Sequence, residues 1–375
     1  MRLAILTDNY PSETNLYGDV FVHSRLKHYP SVFQIQVFGY VADLSEQQEF
    51  IYENIKVVNF NNKETYLKAI KDFNPDVIGI HFVKGWLYEK FIKNATIPIV
   101  IWVHGAEALG WYRRLYNLKG LKQSLYVILG NIIQLIQMRK IVGHSNRTGR
   151  VIFVFVSEWM KKIAEMDTLT KIKNYKIIPN PIDTALFKYN RKSPEQKKRI
   201  LLIRSFESKK YANDIGIKAI QLLAKETYFK DLEFHIYGKG KLFERLTNPL
   251  KIYDNVKLNN FFIQNRNIPD IHKDFGIFLC PTRQDAQGVS MCEAMAAGLV
   301  VISSFNTAIP EFVSDKVTGL LTHSPNDIKI AISSLYNDSA LFQSISENGA
   351  IAIRRKASHE NVINSEIDIL TRGLA

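Results

Sequence analysis

Short apolar runs alternate with amphipathic stretches along nearly the whole chain, which predicts buried strands separated by helices. In the first half the candidate strands are residues 3–6, 35–38, 57–58, 77–80, 99–103, 152–156 and 176–178. In the second half they are residues 200–203, 233–237, 256–258, 275–280 and 300–302. Strands that alternate with helices in this way are typical of doubly wound α/β domains with parallel sheets.

The length of the chain predicts two such domains. Its 375 residues exceed what one hydrophobic core usually supports. Prolines and a charged segment interrupt the strand and helix pattern between residues 178 and 199. We therefore expect an N-terminal domain over residues 1–180 and a second domain over residues 181–355.

The segment 281–298 carries the residues that point most directly to chemistry. It follows one apolar run and precedes another, and Asp285 and Glu293 lie on either side of Gly288 within it. Two carboxylates around a loop that contains glycine can bind the hydroxyls of a sugar. Amides at the start of the following helix can hold an anion, because free N–H groups and the helix dipole both favour negative charge. The segment therefore predicts a site for a sugar joined to a phosphate.

A purely structural interpretation of the same residues is also open. Ser290 and Glu293 have the spacing of a capping box, in which the serine caps the helix and the glutamate returns to its backbone. An isolated acid such as Asp285 is typical of a solvated loop. The choice between site and cap depends on the surrounding pattern.

That surrounding pattern resembles the retaining glycosyltransferases of the GT-B fold, of the family four type (glycosyl transferases group 1). Their signature is two glutamates eight positions apart around such a loop, and Asp285 stands here where the first is usual. The family pattern continues as Pro310-Glu311 and as Thr318-Gly319. The resemblance implies two Rossmann-like domains facing a cleft, with a last helix in residues 356–375 that crosses back to the first domain.

Arg204 and one of two lysines look like the family's cation pair that holds the donor diphosphate. They follow the predicted strand 200–203, and Lys210 beside Tyr211 is preferred to Lys209. Fixed cations stabilise the charge that a departing nucleoside diphosphate gains, without a metal ion. The alternative for two adjacent lysines is an ordinary solvated surface.

Three more residues match the family by position. His104 ends the strand 99–103 and corresponds to a histidine that contributes to the sugar and acceptor site. Gly238 matches a Gly-x-Gly turn, and Gly18 lies where relatives usually carry a double glycine that lets the backbone approach a ligand. His81, at the end of the preceding strand, is expected to be structural.

The resemblance thus implies a retaining, metal-independent transfer of sugar from a nucleoside-diphosphate sugar to a hydroxyl acceptor, with no cofactor beyond the donor. The alternatives are another GT-B nucleotide-sugar enzyme, such as an epimerase, and a non-catalytic GT-B partner subunit. The residues assigned to catalysis are Asp285, His104, Arg204 and Lys210, and those assigned to donor binding are Glu293, Gln287, Gly288, Val289, Lys209, Gly238 and Gly18.

The formal net charge of +13 is concentrated in residues 113–150, which contain many Lys and Arg and no Asp or Glu. Apolar residues recur there at helical spacing, at Leu121, Leu125, Ile128, Leu129, Ile132 and Ile136. Polar residues interrupt them before the roughly 20 residues that a membrane span needs, at Asn131, Gln134 and Gln137. The stripe either packs on the core of the first domain or lies in the headgroup plane of an anionic membrane.

The expected partners follow from these features. No nucleic-acid recognition motif accompanies the positive charge, so a nucleic acid is not expected. We expect a nucleotide sugar, a glycan or lipid-linked acceptor of cell-surface polysaccharide synthesis, and an anionic membrane surface bound through residues 113–150. Two cysteines and an N-terminus without a secretory apolar region favour the cytoplasm, at the inner face of the cell membrane as a peripheral protein.

Overall fold

The computed structural model describes residues 1–13, 15, 18–105, 107–118 and 120–371 of the chain. These residues form two compact units. Unit 1 comprises Met1–Pro181 and the C-terminal segment that starts at His359, and unit 2 comprises Ile182–Ser358. The expected limits were residues 1–180, 181–355 and 356–375, of which residues 372–375 lie outside the described part.

Unit 1 is built on an eight-stranded sheet in the order β3-β4-β2-β1-β5-β6-β7-β8. All neighbours are parallel except β3, which runs antiparallel to β4 at the edge. The strands are β1 (Arg2–Leu6), β2 (Gln34–Tyr40), β3 (Gln48–Tyr52), β4 (Ile55–Phe60), β5 (Val77–His81), β6 (Ile99–Val103), β7 (Val151–Phe155) and β8 (Tyr175–Ile177). The helices are α1 (Val20–Leu26), α2 (Lys63–Phe73), α3 (Trp86–Lys90), α4 (Leu121–Thr148) and α5 (Glu158–Thr168).

Unit 2 contains a six-stranded parallel sheet in the order β11-β10-β9-β12-β13-β14. Its strands are β9 (Arg199–Ile203), β10 (Glu233–Tyr237), β11 (Val256–Asn259), β12 (Ile277–Cys280), β13 (Val300–Ser304) and β14 (Leu320–Thr322). Its helices are α6 (Asn213–Leu223), α7 (Phe243–Thr247), α8 (Ile268–Asp274), α9 (Val289–Ala296), α10 (Ile309–Phe312), α11 (Pro325–Asn337) and α12 (Ser339–Ala357). The predicted α/β class with two parallel sheets is confirmed.

The last helix, α13 (His359–Thr371), is part of the core of unit 1. Its Glu366 is fully buried and lies 3.0 Å from the Nε of the equally buried Arg25. The same carboxylate accepts hydrogen bonds from the Tyr29 hydroxyl at 2.8 Å and from the Trp102 indole at 3.0 Å. A helix from the end of the chain therefore completes a core that begins with β1.

Helix α4 has its polar side turned towards unit 1. Asn131 is buried, accepts a hydrogen bond from the Trp111 amide and donates one to the Leu109 carbonyl oxygen. Gln134 accepts a hydrogen bond from the Gly85 amide. The predicted apolar stripe is largely exposed instead, at Leu121, Leu125, Leu129, Ile132 and Ile136, with Ile128 half-buried. The alternative in which this stripe packs on the core of the first domain is therefore wrong.

Candidate active site

The loop between β12 and α9 is held by the carboxylate of Asp285. Its Oδ1 accepts hydrogen bonds from the Gly288 amide at 2.8 Å and from the Gln287 amide at 3.3 Å. The Asp285 amide in turn donates to the Thr307 hydroxyl. Two of the amides that the sequence assigns to a ligand anion thus bind Asp285 itself. The carboxylate is half-buried, so Asp285 shapes the loop while keeping contact with the surface.

Helix α9 begins at Val289, before the serine that the capping-box interpretation places at its N-cap. Gly288 occupies the N-cap position with φ of 80°, a left-handed conformation that favours glycine, and no side chain caps the helix. Val289 is the first helical residue, and Gln287 is buried with its side chain hydrogen-bonded to the Cys292 thiol. Ser290 therefore forms no capping box with Glu293, and the structural interpretation of this pair is wrong.

Ser290 instead binds Arg204. The Nη1 of Arg204 donates to the Ser290 hydroxyl at 2.8 Å, and Nη2 donates to the carbonyl oxygen of Cys280 at 3.3 Å. Arg204 as a whole is 7% exposed, and its Nε has no hydrogen-bond partner among the described residues. A buried donor without a partner is rare in proteins.

Lys210 lies beside the same arginine. The Nζ of Lys210 and the guanidinium carbon of Arg204 are each 5.1 Å from the centre of the Tyr211 ring. One aromatic ring thus holds two cations near each other, which reduces the repulsion between them by cation–π attraction. Lys209 is exposed, and its backbone carbonyl oxygen accepts a hydrogen bond from Arg283. This arrangement favours Lys210 over Lys209 as the second cation.

Glu293 projects from α9 into a low-dielectric setting. Burial raises the pKa of its carboxyl to about 8, although a hydrogen bond from Asn265 and the charge of Arg204 act in the opposite direction. The charge of Asp183 adds to the rise. A carboxyl with this pKa exchanges its proton near neutral pH.

A cavity of about 180 Å³ on unit 2 is lined by Arg204, Ser290 and Tyr211, whereas Asp285, Lys210 and Glu293 do not line it. A second and larger cavity of about 680 Å³ shares the loop 261–263 with it. The first cavity is lined by Ile203, Arg204, Ser205, Tyr211, Gly238, Phe261, Phe262, Ile263 and Ser290. The sequence pattern did not single out Ser290 or the loop 261–263 for this site, because neither matches a motif and only the fold brings them to Arg204.

The structure explains why position 238 is a glycine. A Cβ there would lie 2.0 Å from the backbone oxygen of Arg204 and 2.7 Å from the ring of Phe206. Gly240 is similar, since its Cβ would lie 2.4 Å from the Glu207 nitrogen. The two glycines let the loop after β10 press against the loop after β9. They therefore set the position of Arg204.

In unit 1, His104 forms a hydrogen bond with His81 at 2.9 Å between Nε2 and Nδ1, respectively. Burial lowers the pKa of both rings well below the usual range, and the charge of Arg25 adds to this. His81 stacks on Trp102 with ring centres 4.7 Å apart. The two histidines are thus a neutral coupled pair, and His81 directly contacts the residue that the sequence assigns to catalysis.

A polar cavity of about 390 Å³ lies near His104 at the carboxyl ends of the unit 1 strands. Glu107 lines it and accepts hydrogen bonds from the amides of His104 and Gly105. Gly18 supports its wall, because a Cβ there would lie 2.5 Å from the Asn9 oxygen. The lining residues are Asp8, Asn9, Asp19, Phe82, Val83, Lys84, Glu107 and Gln134. Carboxylates, an ammonium and amides in one cavity suit a ligand rich in hydroxyl groups.

Comparison with known proteins agrees with this picture. Residues 197–338 match the sequence model of the family Glycosyl transferases group 1. An uncharacterized glycosyltransferase of Methanocaldococcus jannaschii is 28% identical over 138 residues, which cover 35% of this chain and 38% of that protein. The poly(ribitol-phosphate) alpha-N-acetylglucosaminyltransferase of Staphylococcus aureus is 24% identical over 160 residues, or 42% of this chain and 32% of that protein. The chain thus spans about a third of the length of these curated relatives.

Similarity of fold extends over the entire chain. HepE of Anabaena, solved in complex with UDP and glucose, superposes with a TM-score of 0.70 at 15% identity. The match covers 99% of this chain and 100% of that one. The predicted resemblance to the group 1 glycosyltransferases is therefore confirmed for residues 197–338, and the predicted fold, two Rossmann-like units of the GT-B type, is confirmed for the chain.

Proposed function

We propose that the protein is a retaining, metal-independent glycosyltransferase that moves a sugar from a nucleoside-diphosphate sugar to a hydroxyl of a glycan acceptor. The observation that supports this best is that Arg204 lines a cavity of unit 2 and shares the Tyr211 ring with a second cation, Lys210. Two fixed cations at one aromatic ring suit the charge that develops on a departing diphosphate. The UDP complex of HepE is consistent with a nucleotide ligand in this fold.

The other assigned residues take complementary roles in this proposal. Glu293 binds the ribose hydroxyls, and Asp285 with the loop at Gln287 and Gly288 orients the donor sugar. His104 and the polar cavity of unit 1 serve the acceptor side. The bond between the anomeric carbon and the diphosphate oxygen breaks, the acceptor oxygen bonds to the anomeric carbon on the same face, and the departing phosphate oxygen takes the proton of the acceptor hydroxyl. Because attack and departure share one face, the sugar keeps its anomeric configuration without a protein nucleophile.

A thermal-shift screen against UDP, GDP, ADP and dTDP sugars tests the donor part. A ligand at 100 times its dissociation constant stabilises the folded state by about 2.7 kcal/mol. We expect one nucleotide family to raise the melting temperature of the parent protein and to have much less effect on Arg204→Ala. Equal shifts in both proteins would remove Arg204 from the donor site. Donor binding without transfer to any glycan would favour the non-catalytic partner, and donor isomerisation would favour an epimerase.

We further propose that the acceptor belongs to a cell-surface polysaccharide or a lipid-linked glycan and that the enzyme works as a peripheral protein on the inner face of the cell membrane. The acid-free basic segment 113–150 supports attraction to anionic lipid. The Staphylococcus aureus relative is, by its name, a transferase of N-acetylglucosamine to poly(ribitol-phosphate), so a polymeric acceptor is consistent with this proposal.

A further inference from the structure

The exposed side of helix α4 is apolar over about four turns. The side chains that form this outer face are between 41% and 91% exposed: Leu121, Leu125, Leu129, Ile132, Ile133 and Ile136. Tyr126 beside them is 81% exposed. Apolar residues scattered singly on a surface are normal, but a contiguous stripe of this kind marks an interaction site.

The opposite side of the helix is fastened to unit 1 by polar side chains. Asn131 bonds the backbone of Trp111 and Leu109, and Gln134 bonds the Gly85 amide and the Val83 carbonyl oxygen. These bonds fix which side of α4 faces outward. The outer face therefore cannot turn towards the core of unit 1 unless these hydrogen bonds break.

Positive charge stands at both ends of the outer face. Arg139 follows Leu121 by five full turns of 3.6 residues, and Lys140 follows Lys122 by the same interval, so these side chains point the same way as the apolar stripe. Lys122, Arg139 and Lys140 are all exposed, and Lys140 forms an ion pair with Glu89 at 2.9 Å, so Lys122 and Arg139 carry the positive charge of the face. Lys119 belongs to the same run but lies outside the described residues.

The dimensions decide how such a face would meet a membrane. Helix α4 is long and apolar enough, by length and composition alone, to be a candidate span. Its outer face from Leu121 to Ile136 measures roughly 22 Å, short of the roughly 30 Å of a bilayer core. The polar anchors of the inner side also keep the helix on unit 1. An in-plane position fits both facts, with apolar side chains in the lipid and cations at the headgroups.

We propose that the outer face of α4 is the surface by which unit 1 docks in the plane of an anionic membrane. The proposal rests on the proposed function in one respect: access to a membrane-bound acceptor is the reason for the protein to bind a membrane. Binding itself is independent of sugar transfer, so the two can fail separately. A protein that binds vesicles but transfers no sugar would contradict the proposed function, whereas transfer without vesicle binding would contradict this proposal.

Cosedimentation of the full chain with vesicles tests it. We expect binding to phosphatidylglycerol mixed with phosphatidylcholine, little binding to phosphatidylcholine alone, and a decrease with salt. The combined variant Leu125→Gln, Ile132→Gln, Ile136→Gln should bind at least about tenfold more weakly, because its face no longer enters lipid. A second variant, Lys122→Glu with Arg139→Glu, should lose binding to anionic vesicles to a similar extent.

The matched control replaces three exposed isoleucines of unit 2, as Ile252→Gln, Ile330→Gln and Ile351→Gln. It should bind vesicles like the parent. Equal binding by the outer-face variant and this control, or no binding of the parent at low salt, would overturn the proposal. The proposal would also be overturned if sedimentation velocity showed the parent as a dimer and only the outer-face variant as a monomer, since a second copy of the chain would then cover the face. Retention in the membrane pellet after alkaline carbonate would overturn the in-plane position.

Discussion

At the scale of single residues, Asp285 combines a structural and a chemical role that two substitutions can separate. Asp285→Asn keeps an oxygen that accepts from the Gly288 amide and removes the charge, whereas Asp285→Ala removes both. We expect the Asn variant to melt near the parent temperature but to lose turnover, since the charge acts on the reacting sugar. The Ala variant should lose about 1 kcal/mol of stability in addition.

Thermal melting and steady-state kinetics with the donor found in the screen measure this pair. A turnover of Asp285→Asn equal to the parent would show that the carboxylate only shapes the loop. Sequence alone could indicate Asp285 through its motif. It could not show that the carboxylate binds the Gln287 and Gly288 amides, because that depends on the loop conformation.

Glu293 makes stability depend on pH. Its pKa in the folded protein is raised to about 8 by burial, above that of an unfolded glutamate, so the folded state holds the proton more tightly. The stabilisation is complete below the unfolded pKa and is lost as pH rises towards about 8. Each pKa unit corresponds to about 1.4 kcal/mol, or a melting shift of roughly 3–6 °C for a domain of this size.

The variant Glu293→Gln tests this pH dependence, because its side chain has no carboxyl group to ionise. Relative to the parent, the melting temperature of this variant should rise between pH 5 and pH 9 in ligand-free protein by at least the shift that one pKa unit produces, roughly 3–6 °C. Differential scanning calorimetry across that range measures it. Parallel curves for the two proteins would mean that burial does not perturb the Glu293 carboxyl.

The cation pair is expected to act on the transition state. Replacing Arg204 or Lys210 by Met should cost on the order of 2–4 kcal/mol in kcat/KM for the donor, as for loss of a preorganised electrostatic group. Lys209→Met is the matched control, since its side chain is exposed and should cost far less. Activity should persist in chelator. A requirement for a divalent ion, or equal losses at Lys209 and Lys210, would contradict the proposed metal-free site.

At the scale of elements, the approach of two loops determines where Arg204 stands. Gly238→Ala should displace the loop after β9, because its Cβ would meet the Arg204 backbone oxygen at 2.0 Å. We expect a loss of about 1–3 kcal/mol from overpacking and weaker nucleotide binding. Gly130→Ala on α4 is the control, since its Cβ meets nothing within 4 Å and should leave both unchanged or stabilise the helix.

Urea denaturation measures the stability of these two variants, and nucleotide titration measures their affinity for nucleotide. Nucleotide affinity of Gly238→Ala equal to that of the parent would show that the Arg204 loop does not depend on Gly238.

The elements themselves were largely predictable from the sequence, because buried parallel strands read as apolar runs. The strands β6 and β10 coincide with the expected residues. Two edge strands were missed for physical reasons: β3 is mostly exposed and reads as polar, and β14 has three residues. The orientation of α4 was also missed, because periodicity shows that one side is apolar but not that its polar side bonds the protein.

At the scale of the whole molecule, the C-terminal helix α13 completes a core made by the start of the chain. Its Glu366 and the partner Arg25 are both fully buried. Removing one partner of a buried pair leaves an uncompensated charge and typically costs 3–5 kcal/mol, whereas an apolar replacement of both is much less costly. This distinguishes the pair from a surface ion pair, which contributes about 0–1 kcal/mol.

We therefore expect Glu366→Leu to lower the free energy of unfolding of unit 1 by about 3–5 kcal/mol, and Arg25→Met combined with Glu366→Leu to regain part of that loss. Part remains lost, because Tyr29 and Trp102 also donate to the Glu366 carboxylate. Urea denaturation followed by hydrogen exchange assigns the loss to unit 1, since amides of unit 2 should keep their protection. A double variant less stable than Glu366→Leu would show that α13 stabilises unit 1 through its packing and not through the buried ion pair.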